Sequence, residues 1–120
     1  SSGISDQKPA GANAVGPVTR YSVHLGSTVC AAASRTQAPQ SCQNPNRVTV
    51  RFDKFDLAKG VVVADMGTVL AQANVDVNAP GSAAGCMSAP DDADCPPIMK
   101  ALGLAIAGQA GGAQSFIRQK

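Results

Sequence analysis

Two stretches decide how this chain can fold: residues 30–42, Cys-Ala-Ala-Ala-Ser-Arg-Thr-Gln-Ala-Pro-Gln-Ser-Cys, and residues 86–95, Cys-Met-Ser-Ala-Pro-Asp-Asp-Ala-Asp-Cys. Each begins and ends on cysteine, and together they hold all four cysteines of the chain. Four cysteines allow three connectivities, but the local pairings Cys30–Cys42 and Cys86–Cys95 stand out, because each brackets small and turn-forming residues that packing alone cannot hold. Closing loops this short contributes roughly 3 kcal/mol each in the chain-entropy account. A zinc site built from four thiolates is the competing reading; its usual signature is a C-x2-C knuckle on each side, and neither spacing here is one. Disulfides place the chain outside the reducing cytosol.

The material for a core is thin. The chain has 120 residues, which suits one domain, yet it contains no Trp, one Tyr and three Phe. With 12 Gly and 8 Pro, many positions go to turns, and the expectation is loops hung on a few strands. The net charge of +2 is spread without clusters or interleaved aromatics, which leaves nucleic-acid binding unsupported. The longest apolar stretch, Ala101 to Gly108, falls far short of the ~20 residues a membrane span needs. The sequence starts at Ser1 with no initiator Met and no basic-then-apolar leader, so either a removed signal or a piece of a longer protein is expected.

Residues 1–18 read as a flexible lead-in or loop, and residues 19–120 as one β-rich unit. Tyr21, Val23 and Leu25 alternate with Ser22, His24 and Gly26, giving a strand whose polar face carries the only imidazole. Val48, Val50 and Phe52 alternate with Arg47, Thr49, Arg51 and Asp53, the clearest strand pattern in the chain, and antiparallel pairing with Thr19–Leu25 is expected. A turn at Lys59-Gly60 precedes the β-branched run Val61–Val63. Asp65 is placed to cap a helix from Met66 to Gln72, and Val75 and Val77 suggest an edge strand before a loop at residues 78–81. Pro96-Pro97 opens a helix, Ile98 to Leu102, that Gly103 ends, and Gln114 to Gln119 reads as a closing strand. The expected fold is mainly β: an antiparallel, sandwich-like arrangement of about five strands with long loops, two short helices and two local disulfides.

His24 is the residue to explain. An imidazole on a polar strand face serves as a metal ligand, a general base or an ordinary surface group, and from residue type alone the surface reading leads. Asp91, Asp92 and Asp94 could offer oxygen ligands to calcium, but the EF-hand spacing is absent and a solvated acidic loop is the preferred reading. Asp76 and Asn78 are expected to face solvent. Met66, Met87 and Met99 are soft donors suited to Cu(I), though core filling explains Met66 and Met99 at helix positions. Gly108, Gly111 and Gly112 fit no phosphate-loop template.

Taken together, Val23-His24-Leu25-Gly26-Ser27-Thr28, the Cys30–Cys42 loop, Asn44-Pro45-Asn46-Arg47, Val61-Val62-Val63-Ala64-Asp65, the run from Pro80 through Pro97 and Ala101-Leu102-Gly103-Leu104 resemble the four-Cys-motif proteins of metallo-mystery pair systems. These are the MbnP-type partners of di-haem, peroxidase-like enzymes in methanobactin copper-handling operons. The resemblance spans about residues 20 to 120. It implies a periplasmic, secreted or outer-surface β protein, not itself an enzyme. The family is similar in kind to methanotroph surface copper proteins, in which Cu(I) is held by two histidines and a Trp that the MauG-like di-haem partner oxidises to kynurenine. His24 falls at the family's Val-His-Leu-Gly strand, and it is the one position onto which the copper-ligand role carries. Family members are longer, with the Trp and another His in their N-terminal half; this chain has neither, so it is expected to be the C-terminal half of such a protein. The alternative is a disulfide-stapled structural or surface β domain without metal. A small catalytic domain using His24 as base is weakest, since no nucleophile or carboxylate partner can be nominated.

Overall fold

The computed structural model describes residues 16–17, 20–79 and 83–120. Apart from Gly16 and Pro17, the lead-in expected over residues 1–18 lies outside the described residues, as do Thr19 and the Pro80-Gly81 turn. In chain order the elements are β1 (Gly16–Pro17), β2 (Ser22–Val23), β3 (Thr28–Ala31), β4 (Ser41–Asn44), β5 (Val62–Ala64), α1 (Met66–Leu70), β6 (Val77–Asn78), β7 (Gly85–Cys86), α2 (Cys95–Leu102) and β8 (Ile117–Gln119). Among the described residues the regular structure is mainly strand with two short helices, and the strands form four two-stranded ladders: β1·β6, β2·β7, β3·β4 and β5·β8.

Both helices start and stop where local chemistry dictates. The Asp65 carboxylate accepts the Thr68 N–H at 3.3 Å, capping α1, and also takes the Arg118 guanidinium at 2.9 Å from β8. That guanidinium, and then the Thr68 amide, hold the Asp65 carboxyl below its ordinary value. In α2 the two prolines occupy the first turn, where a missing N–H costs nothing. Gly103 ends it at φ +75°, in the left-handed region, with its N–H bonded to the Lys100 carbonyl and that of Leu104 to Met99.

The core gathers around α2. Cys95, Ile98, Met99 and Leu102 point inward from the helix and meet Val69 of α1, Cys86 of β7, Leu104 and Ile106, with Tyr21 and Val23 packed against them. The Cys86–Cys95 disulfide lies inside this cluster, both residues being 0% exposed. The Cys30–Cys42 disulfide is built differently. It joins directly opposite residues of the β3·β4 hairpin, where Cys30 is exposed and Cys42 half-buried.

Several expectations are corrected. The strongest strand pattern, Val48 to Phe52, is not in a ladder: residues 45–52 run without a turn or bend, and no hydrogen bond from the described residues reaches the backbone of 47–52. The strand expected to pair with it, Thr19–Leu25, is reduced to β2, and it lies parallel to β7 with Ser22 opposite Gly85 and Val23 opposite Cys86. Burial of Cys86 by the second disulfide gives the apolar face of β2 a partner in the core, and that outweighs the sequence-adjacent pairing. Leu25, expected on the apolar face, is 50% exposed because the ladder ends before it. Asn78, expected to face solvent, is buried, and Asp92 is buried while Asp94 is half-buried. Met66 is 55% exposed on its helix and fills no core, whereas Met99 does.

The contrast between the two disulfides sets a measurable order. On titration with a water-soluble phosphine and alkylation for mass spectrometry, Cys30–Cys42 is expected to open at lower reductant than Cys86–Cys95, because Cys30 is exposed whereas Cys86 and Cys95 are both fully buried. Earlier opening of Cys86–Cys95 would contradict the placement of the core.

Candidate metal centre at the end of a parallel ladder

His24 follows directly on β2, and its position is fixed through its backbone. Its N–H donates to the Cys86 carbonyl at 2.8 Å, which is the bond a parallel ladder makes one residue beyond the Val23–Cys86 pair. Its carbonyl accepts from the Ser88 hydroxyl, where the next ladder amide would otherwise donate. Ser88 departs from strand geometry at φ +62°, and its Oγ also accepts the Gly26 N–H at 3.3 Å. Both main-chain groups of His24 are therefore pinned, while the imidazole is exposed.

The close approach of β2 and β7 depends on one glycine. Gly85 sits at φ +101°, and a Cβ there would come within 1.9 Å of the Ser22 carbonyl oxygen, so a side chain would force the strands apart. The loop after His24 is tied in turn to the Asn-Pro-Asn segment. Asn46 donates through Nδ2 to the Gly26 carbonyl at 2.6 Å, and Ser27 through Oγ to the Pro45 carbonyl at 2.9 Å. Two motifs far apart in sequence thus form one support.

On the far side, Asp92 organises the second cysteine loop. One carboxylate oxygen accepts the Met87 N–H at 2.8 Å and the other the Asp94 N–H at 3.0 Å, while Asp94 Oδ2 accepts the Ala79 N–H at 3.3 Å. These carboxylates are engaged with the backbone of the loop and are not solvated as expected. Among the described residues, no group of three or more His, Cys, Asp or Glu side chains is placed to hold an ion. Neither Asp91, Asp92 and Asp94 nor His24 with the cysteines make such a cluster. Calcium at the acidic loop would compete with the amides that Asp92 already serves.

An open groove of about 440 Å³ runs between Arg47–Arg51 and the segment Gly112–Gln114, and His24 is not part of its lining. The imidazole is a surface group on a rigid ledge, and it can bind an ion or meet a partner without any cavity opening. Sequence reading nominated His24 but missed its two supports, Ser88 and the Cys86 carbonyl. The one available signal was Gly85 beside a cysteine, which marks a close backbone approach.

Tyr21 lies under the ledge, its hydroxyl 3.5 Å from the Asp94 carbonyl oxygen. Burial, then the Asp94 and Asp92 carboxylates, raise its pKa above 10.0. A raised folded value means that the stability tied to neutral Tyr21 is complete below the unfolded value of about 10 and is lost as pH rises through the folded one. Urea midpoints measured on the alkaline side are expected to fall with pH in the wild type and to fall less in Tyr21→Phe; identical slopes would contradict the burial of the ring.

No family model matches the chain, and neither does any curated protein. Among solved structures, the chain is similar to MbnP from Methylosinus trichosporium, at 34% sequence identity and a TM-score of 0.69, over 82% of this chain and 38% of that one. The chain thus spans about two fifths of the length of that structure. The combination of identity and fold supports an MbnP-like relationship.

Proposed function

On the premise of that relationship to MbnP, we propose that the chain is the C-terminal part of an extracytoplasmic copper-binding protein in which His24 is a Cu(I) ligand. The observation that carries the reading is the ledge: an exposed imidazole whose backbone N–H and carbonyl are both held, at the end of a ladder anchored in the core. Neutral imidazole suits copper, and a donor whose main chain is already fixed loses little further freedom on binding. The two disulfides agree with a periplasmic, secreted or outer-surface location.

A further, N-terminal part of the same polypeptide would complete both fold and site. The chain matches 38% of MbnP, and Arg47–Phe52 has strand chemistry without a strand partner among the described residues. Leu57 is 92% exposed, and Val61, Val62 and Met66 are each at least half exposed. Such surfaces suit contact with more protein. In this reading the remaining ligands, a second His and a Trp oxidised to kynurenine by a di-haem MauG-like enzyme, come from that part. The whole protein is the substrate and partner of that enzyme, and this chain, which has no Trp, performs no catalysis of its own.

Anaerobic Cu(I) titration against a chromophoric chelator tests the claim on His24. His24→Ala is expected to weaken binding at least tenfold with an unchanged thermal midpoint, because the residue is exposed and outside the core cluster. Equal affinity in wild type and variant would return His24 to an ordinary surface residue.

A further inference from the structure

The register that positions His24 also selects a neighbour for it. Val23 lies opposite Cys86, and both face the core: Cys86 is 0% exposed and Val23 packs against the apolar cluster. Successive residues of a strand face opposite sides, so His24 and Met87, one step further along each chain, both turn away from the core. The His24 N–H bond to the Cys86 carbonyl carries the ladder as far as this pair. His24 is exposed and Met87 half-buried, as that placement requires. Neighbouring strands are about 4.8 Å apart, a separation that lets an imidazole nitrogen and a thioether sulfur reach one ion between them.

We propose that Met87 is a second protein ligand, its Sδ and the His24 imidazole together forming a two-donor N,S site for Cu(I) on the outer face of the β2·β7 ladder. This rests on the copper reading and extends it to a residue that packing does not explain. Of the three methionines, Met99 is 1% exposed within the core and Met66 is 55% exposed on α1; Met87 is the one that the ladder register sets opposite His24. Its main chain is held through the N–H, which donates to the Asp92 carboxylate at 2.8 Å. A thioether is uncharged and soft. It discriminates for Cu(I) against zinc and the harder divalent ions, which a lone imidazole does not do. A pair of neutral donors is also a sufficient platform for Cu(I), a d10 ion that accepts low coordination numbers, and it leaves positions open for ligands from elsewhere.

The test uses the 120-residue chain with its disulfides intact, labelled with 13C at the methionine methyls. Silver(I), a redox-inert stand-in for Cu(I), is titrated while the three methyl signals are followed, and Cu(I) affinity is measured by chelator competition for wild type, Met87→Leu, Met66→Leu and His24→Ala. Leucine keeps the volume at position 87, so the fold is retained. The expected result is that the Met87 methyl alone shifts with silver, that Met87→Leu and His24→Ala each lose at least tenfold in Cu(I) affinity, and that Met66→Leu binds as wild type. Loss in His24→Ala with none in Met87→Leu would overturn the thioether assignment and leave the copper reading standing. No loss in either variant would overturn both. Equal loss in Met66→Leu would mark non-specific thioether binding and also overturn the assignment.

Discussion

The buried bond between Cys86 and Cys95 is the constraint on which the rest of the structure depends. It fastens β7 to the first turn of α2, and α2 contributes four of the eight buried apolar residues among those described. Once Cys86 is held in the core, the strand that can bury an apolar residue opposite it is β2, through Val23. The parallel ladder then leaves His24 exposed at its end. Without the bond, two residues would have to hold β7 against β2 by backbone hydrogen bonds alone, and a pair this short is not stable by itself in water.

The features legible in the sequence were those whose cause is local. Asp65 as helix cap, Pro96-Pro97 as helix start, Gly103 as helix stop and the two short cysteine spacings all act over a few residues, and all stand in the structure. The β2·β7 pairing was not legible, since it joins positions 23 and 86 and depends on a disulfide burying one of them. For the same reason Val48 to Phe52 misled: alternation states that a segment can be a strand, and it says nothing about whether a partner is present. Asn78 and Asp92 read as solvent-facing because polar residue types usually are. The burial of Asp92 follows from the second cysteine loop, where it serves the amides of Met87 and Asp94, while Asn78 is buried in the β1·β6 ladder.

The candidate site shows the same division. His24 stood out as the single histidine within a recognisable run, but its rigidity is a tertiary property supplied by the Cys86 carbonyl and Ser88. The two disulfides, equivalent on paper, have different tasks. Cys30–Cys42 closes a largely exposed hairpin, and the contacts from Asn46 and Ser27 fasten the base of that hairpin to the loop after His24. Cys86–Cys95 fixes the core and, through it, the ledge.

Amide hydrogen exchange at His24 tests this dependence most directly. Its N–H is bonded to Cys86, so the account requires that the double variant Cys86→Ala/Cys95→Ala exchange this amide at least tenfold faster than wild type. Cys30→Ala/Cys42→Ala should leave it nearly unchanged. Retained protection of His24 without the Cys86–Cys95 bond would contradict the claim that the buried disulfide builds the site.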